Sequence, residues 1–335
     1  MKRRTWLFTI VTTFALVGGG LGFRGQAQGA LVYWQNFENG NGVADLGVGD
    51  LGITNTTGGS PGNTSFTSTG GVFGGAYDAT SNVTANNSVN FNGVASTGAA
   101  GGSALSALPN SGTLNQFTIS FWVKTQTFSN NSGRAGRLIT LGPSGTTDIL
   151  NANSFGVVQI ASNAASGPTK FAPYFGTADL TAAAGLGAIN TLNEWTFVAV
   201  SYDGTSSNGD NSLIQQSATG SLINGQFYRG TDTAAVVRTD LPIVTTVGTP
   251  SSASLGPLAL GASPILFLAN RTALNRSLDG TMDDIRIYDS VLSAAEIDSV
   301  RAQGLAGIVP EPSSLFLVSF GLLGLLRLNR KSRQQ

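Results

Sequence analysis

The sequence predicts an all-β protein, a sandwich of antiparallel sheets, and three observations carry that expectation. Residues 28–312 are rich in Gly, Ser, Thr, Asn and Ala and poor in Lys and Glu, the reverse of what long helices favour. Short runs of β-branched and aromatic residues recur between turn-forming stretches, as they do in sandwiches and barrels. In Phe117-Thr-Ile119-Ser-Phe121-Trp-Val123 the apolar residues alternate. One face of such a strand meets a core, and the other meets water or a second layer.

The expected strands, in chain order, are Leu31–Phe37, Ser88–Phe91, Phe117–Lys124, Arg137–Leu141, Ser154–Ile160, Lys170–Phe175, Trp195–Tyr202, Ser212–Gln216 and Ser277–Tyr288. Val89-Asn-Phe91 gives the second of these a short alternation of its own. Between the runs, Gly93–Gly112 and Asp203–Asn211 read as surface loops. One helix is specified, over Ala294–Gln303. Ser293-Ala-Ala-Glu296 is a capping box, in which the Ser293 hydroxyl accepts from the third-position N–H and Glu296 accepts from the Ser293 N–H. Leu292 and Ile297 stand where a hydrophobic staple would be, and Gly304 supplies a stop. This helix is expected against an end of the sandwich. Neither a repeat nor a linker calls for a second folded domain, so residues 28–304 are expected to form one.

Both ends of the chain carry address information instead of fold. Met1-Lys-Arg-Arg4, an apolar run from Trp6 to Phe23 and then Gly25-Gln26-Ala27 make a secretory signal. Cleavage is expected after Ala27, with Ala30 as the alternative. Gly18-Gly19-Gly20 interrupts the run and weakens it as a permanent membrane helix. Arg3-Arg4-Thr5-Trp6-Leu7 also fits a loose twin-arginine pattern.

The zero net charge of the chain hides a partition. Eight of its 18 basic residues lie in the two ends, leaving ten against all 18 acidic ones in the body, a net −8. An acidic surface without concentrated Lys and Arg argues against nucleic acid as a partner, and is compatible with glycans or cations. The sequence holds neither cysteine nor histidine. Stability must come from core size, not disulfides. Ser-His-Asp catalysis, Cys nucleophiles and the usual His/Cys zinc sites are excluded by composition.

Three segments together resemble the laminin G-like domain, a concanavalin A-like jelly roll. They are Phe117-Thr-Ile-Ser-Phe-Trp-Val-Lys124, then Asn193-Glu-Trp-Thr-Phe-Val-Ala-Val-Ser-Tyr-Asp-Gly204, and Leu278-Asp-Gly-Thr-Met-Asp-Asp-Ile-Arg-Ile-Tyr-Asp289 followed by Val291-Leu-Ser-Ala-Ala-Glu-Ile297. Gly74-Gly-Ala-Tyr-Asp78 echoes an early strand of that family without its final aromatic. The end of the chain is similar to the bacterial PEP-CTERM sorting signal, within residues 305–335. Val309-Pro310-Glu311-Pro312 precedes an apolar stretch, Ser313–Leu326, and a basic end, Arg327–Arg333. Those 14 apolar residues would rise about 21 Å as a helix, short of the roughly 30 Å hydrocarbon core. The stretch suits transient membrane insertion, with the basic cluster in the cytoplasm; a plain membrane anchor is the alternative. The resemblance implies export, recognition by an exosortase-type enzyme, passing attachment to the inner membrane of a Gram-negative bacterium, and release to the cell surface or extracellular matrix. It also implies a setting rich in exopolysaccharide.

Candidate sites are sparse. Retaining glycosidases need two carboxylates about 5 Å apart, and related sandwiches set them as Glu-x-Asp-x-(x)-Glu on one strand. The four glutamates here, Glu38, Glu194, Glu296 and Glu311, begin no such pattern. Asp283 and Asp284, as neighbours, are expected on opposite faces of a strand and to brace the fold, for example by pairing with Arg286. Calcium is the better chemical expectation, since the resemblance implies a site among loop aspartates at one rim. The candidates are Asp45 and Asp50 in one loop, and Asp203 or Asp210 after the Trp195 strand; turn chemistry is the other reading of all four. Trp34, Trp122 and Trp195 are expected in the core. Tyr174 and Tyr228 are looser candidates for stacking on sugar. A glycan-binding or adhesion module and a purely structural matrix body remain as alternatives.

Overall fold

The structure is a computed structural model that describes residues 29–47, 49–54, 64–80, 94–97, 105, 108, 112–126, 136–148, 153–160, 169–175, 178–179, 188–189, 192–205, 225–241, 257–272 and 278–305. The export segment, Ser88–Phe91, Ser212–Gln216, Asp210 and the sorting tail with Pro310, Glu311 and Pro312 lie outside the described residues.

The first sheet holds β1 (Leu31–Gln35), β3 (Ser65–Thr67), β4 (Ala76–Asp78), β7 (Gln116–Thr125), β13 (Trp195–Asp203), β14 (Gly225–Thr231), β15 (Val237–Leu241) and β18 (Gly280–Tyr288). The second holds β2 (Gly52–Thr54), β5 (Val94–Ser96), β8 (Gly136–Gly142), β9 (Phe155–Ile160), β10 (Thr169–Phe175), β11 (Ala178–Asp179), β12 (Ala188–Ile189) and β17 (Ile265–Leu268). A separate pair joins β6 (Thr113–Leu114) to β16 (Leu258–Ala259). The first sheet runs β15-β14-β13-β7-β18-β4-β3 with β1 also on β18, and the second runs β11-β10-β9-β8-β17-β5-β2 with β12 on β10. Chain order passes back and forth between the sheets, and the long central strands pair antiparallel, which makes the sandwich a jelly roll.

Alternation decides what each strand buries. Phe117, Ile119, Phe121 and Val123 of β7 enter the main core beside Val198 and Val200 of β13. Leu141, Phe155, Val157 and Leu266 of the second sheet meet them there. The Phe117 and Phe155 rings stand edge to face at 5.0 Å between centroids, joining the two layers directly.

The outward face of the first sheet is apolar too. Trp122, Phe197, Ala199 and Tyr228 form a second cluster with Leu292, Ile297 and Val300. The helix α1 (Ala294–Leu305) therefore lies over this face, not against an end of the sandwich as expected. The reason is local: these outward positions would otherwise leave large aromatics in water. The Leu292 N–H donates to the Thr118 hydroxyl at 2.9 Å. Val236 N–H donates to Asp298 at 3.0 Å, and Arg301 donates to the Thr231 carbonyl at 2.8 Å. Gly304, expected to stop the helix, lies within it. A further correction is β5, which pairs with β2 and β17 inside the stretch read as a surface loop. Among the described residues, no helix is long and apolar enough to cross a membrane.

Candidate functional site at the bulge of the last strand

The edge of β18 is shared by two short strands. β4 pairs with Thr281 and Met282, and β1 pairs with Ile285–Tyr288. Asp283 and Asp284 fall between them. Against β7 on the other side, Asp283 stands opposite Trp122 and Arg286 opposite Ser120, so two residues, Asp284 and Ile285, oppose Phe121 alone. This β-bulge shifts the alternation by one position. Met282, Ile285 and Ile287 all reach the main core as a result. Asp284 takes the left-handed conformation that the bulge demands, with φ of 49°, a region Asp tolerates better than bulky residues.

The bulge overturns the expectation that the two aspartates face opposite sides. Partners of both belong to the outer face. Asp283 accepts from the backbone N–H of Val72 at 2.8 Å, of Phe73 at 3.2 Å and of Asp284 at 2.6 Å. Phe73 in turn meets Trp122 edge-on at 5.9 Å. Asp284 accepts from the indole N–H of Trp34 at 2.7 Å and from Arg286 at 2.9 Å, while the Arg286 guanidinium lies 5.1 Å over the Trp34 ring. The second carboxylate oxygen of Asp284 has no hydrogen-bond partner among the described residues. The bracing role expected for the pair, including Arg286, is what these contacts perform.

A glycine-rich turn closes over the cluster. A Cβ on Gly71 would lie 2.6 Å from the Asp283 carboxylate and collide with the Gly75 carbonyl; one on Gly74, where φ is +132°, would collide with Glu38. Burial, then repulsion from Asp284, pushes Asp283 up to about 8 against the pull of its three N–H donors. Burial raises Asp284 above the usual carboxylate range despite Arg286 and Trp34. Glu38 is raised as well, first by desolvation and then by Asp45 and Asp284, against an N–H donated by Gly75. The result is a sealed electrostatic clamp. Asp283 and Asp284 are closed to solvent, so no substrate bond reaches them as the chain is folded here.

The aspartates expected to hold calcium are not brought together. Asp45 accepts from Asn36 N–H at 2.8 Å, Asp50 accepts from Ala44 N–H at 3.2 Å, and Asp203 accepts from both donors of Thr205, at 2.9 Å and 2.6 Å. Asp45 hangs from Trp34, whose row in the register runs through Arg286 and Ser120 to Ala199. Asp203 lies three strands across and four residues along from it, about 20 Å by strand geometry. Among the described residues, no three acidic side chains are grouped to hold a metal ion, and the carboxylates at these positions are engaged in turns. Ser293 and Glu296 form the expected capping box, with N–H to carboxylate at 2.7 Å and the return bond at 3.3 Å.

Of the aromatics, Trp122 is fully buried, while Trp34 and Trp195 are half-buried, Trp195 with Lys124 at 5.1 Å over its ring. Tyr228 is no sugar platform: it is buried, and its hydroxyl donates to Gln226 at 2.6 Å. Tyr174 pairs with Gly156 and Asp179 in the second sheet. Sequence reasoning missed the Val72–Phe73 turn, although its flanking pairs, Gly70-Gly71 and Gly74-Gly75, mark a backbone that other groups approach closely. It also missed a buried ion cluster in which Arg137 and Arg271 share Asp148.

The described domain carries no address of its own, and the remaining residues supply one. The family model for the PEP-CTERM protein-sorting motif matches residues 309–331. This chain carries a PEP-CTERM sorting motif. Such a motif marks an exported protein handled at the membrane by an exosortase. No curated protein matches the chain. Solved structures with a similar course include domain 4 of AbnA, a GH43 extracellular arabinanase from Geobacillus stearothermophilus, in complex with arabinotriose. It has 14% identity and a TM-score of 0.46, over 82% of this chain and 99% of that one. The binding domain of botulinum neurotoxin serotype G gives 12% and 0.40, over 81% and 50%. Trypanosoma rangeli sialidase gives 15% and 0.32, over 58% and 24%, so this chain spans half or less of the latter two.

Proposed function

We propose that this chain is a non-catalytic surface or extracellular-matrix protein whose sandwich engages exopolysaccharide or a surface glycan. In this reading the tail inserts transiently in the inner membrane, an exosortase-type enzyme acts near Pro310-Glu311-Pro312, and the acidic domain is delivered outside a Gram-negative cell. The observation that carries it is the sorting motif at residues 309–331 following a folded β-sandwich. The absence of catalysis is supported by the small number of glutamates, four in the chain, and by the use of Asp283 and Asp284 as buried braces.

The test is retention of the purified exported form on immobilised exopolysaccharide from its host, with a reducing-end assay run on the eluate. Retention without new reducing ends is expected. Passage through the column would favour a structural matrix body, and release of reducing ends would sink the non-catalytic reading. Calcium is tested separately, by thermal unfolding in EGTA and in millimolar calcium. A ligand bound only by the native state at a hundred times its dissociation constant adds about 2.7 kcal/mol, so equal curves would remove calcium from the proposal.

A further inference from the structure

The helix α1 fixes where the chain leaves the folded body. It begins beside Thr118, near the start of β7, and by Arg301 it has reached the Thr231 carbonyl at the end of β14. Thr231 pairs with Thr196, at the start of β13. The helix therefore runs along the outer face of the first sheet to the end where β13 begins and β14 turns into β15.

Two observations make that end distinctive. First, α1 extends to Leu305 and the sorting motif begins at Val309. Four residue steps span at most about 14 Å when fully extended, less than the breadth of one folded layer with its cover. Second, this rim carries apolar residues in the open. Val237 is 69% exposed and Leu192 36% exposed, and the half-buried Trp195 lies beside them under Lys124. Aromatic and apolar groups fringed by a cation are typical of surfaces that meet a partner.

We propose that the sorting enzyme meets this protein as a folded body, docked by the rim formed by Leu192, Trp195 and the β14–β15 turn. The inference rests on the sorting reading above and adds the face and the tether to it. The short connection leaves the enzyme no other part of the sandwich to touch while it holds the motif. Val237 and Leu192 are exposed because that contact uses them.

The experiment follows processing of the full chain, by mass shift, in a host that supplies the sorting enzyme. Glu311→Ala is the control for the motif and is expected to block processing. Deletion of residues 306–308 is expected to slow processing at least about tenfold, because a linker too short to span its sites removes the effective concentration. Val237→Asp is expected to slow it severalfold at the natural spacing. Inserting about ten Gly/Ser residues after Gly307, which act as a flexible coil, should abolish the Val237→Asp effect. Melting temperatures close to the parent's would confirm that each variant is folded. If Glu311→Ala blocks processing while the deletion and Val237→Asp proceed at the parent rate, the rim contact is overturned and the sorting reading stands. Normal processing of Glu311→Ala would overturn the sorting reading, and this inference with it.

Discussion

Asp283 is held by three N–H donors and yet binds its proton up to about pH 8. In the unfolded chain the same carboxyl titrates near its ordinary value of 3.8. Between the two values the folded state binds more protons than the unfolded one, so stability falls as pH rises through that window. Glu38 and Asp284 are raised in the same direction. Each tenfold change in proton affinity between the two states is worth about 1.4 kcal/mol, enough to move the melting temperature by several degrees. The expected result is a melting temperature that declines from pH 5 to pH 8 in the parent and declines less in Asp283→Asn. Parallel curves would show that Asp283 is ionised throughout. The Arg286 partner of this pair was legible in the sequence, since Asp and Arg two residues apart on one strand share a face. The bulge was not. Whether period two holds through Asp283-Asp284 is decided by β1 and β4 meeting at that point, which local spacing does not record.

Elements differ in how much of their structure they specify themselves. The capping box, the staple residues Leu292 and Ile297, and the long alternation of β7 were readable because each rests on contacts within a few residues. β2, β3 and β5 have three residues each, too few for a period to show, and their pairing partners make them strands. β14 contains two glycines, Gln226 and Arg229, so its sequence gives little sign that Phe227 and Tyr228 face two separate cores. The same distinction sets the size of two expected effects. Ser293→Ala removes the cap acceptor of an already docked helix and should cost about 1 kcal/mol, seen as a small drop in denaturant midpoint at constant slope. Gly71→Ala places a methyl group into the Gly75 carbonyl and beside Asp283, and the turn must lift from Trp122 to accept it. It should lower the midpoint by clearly more than Ser293→Ala. A smaller effect would mean that the turn is not held by Asp283.

At the scale of the whole molecule, the outer cluster decides which piece of the chain is a stable product. Trp122, Phe197 and Tyr228 are buried under α1, on the side of the first sheet away from the main core. A mature form lacking α1 would expose them as one apolar patch, a liability in a soluble or matrix-borne protein. The sorting motif lies beyond Leu305, so processing there leaves the cover in place, and the order helix then motif is the arrangement a folded product requires. Two truncations put this to the test. A chain ending at Ile308 should keep the melting temperature of the full-length protein. A chain ending at Val291 loses the buried side chains of Leu292, Ile297 and Val300, each contributing about 1.5–3 kcal/mol on burial. Together these approach the whole stability of an ordinary domain. The shorter chain should therefore unfold at much lower temperature or aggregate, and bind a hydrophobic dye at room temperature. If both truncations melted alike, α1 would be an appendage of the tail instead of a wall of the second core, and the outer aromatics would have to be covered by some other part of the chain.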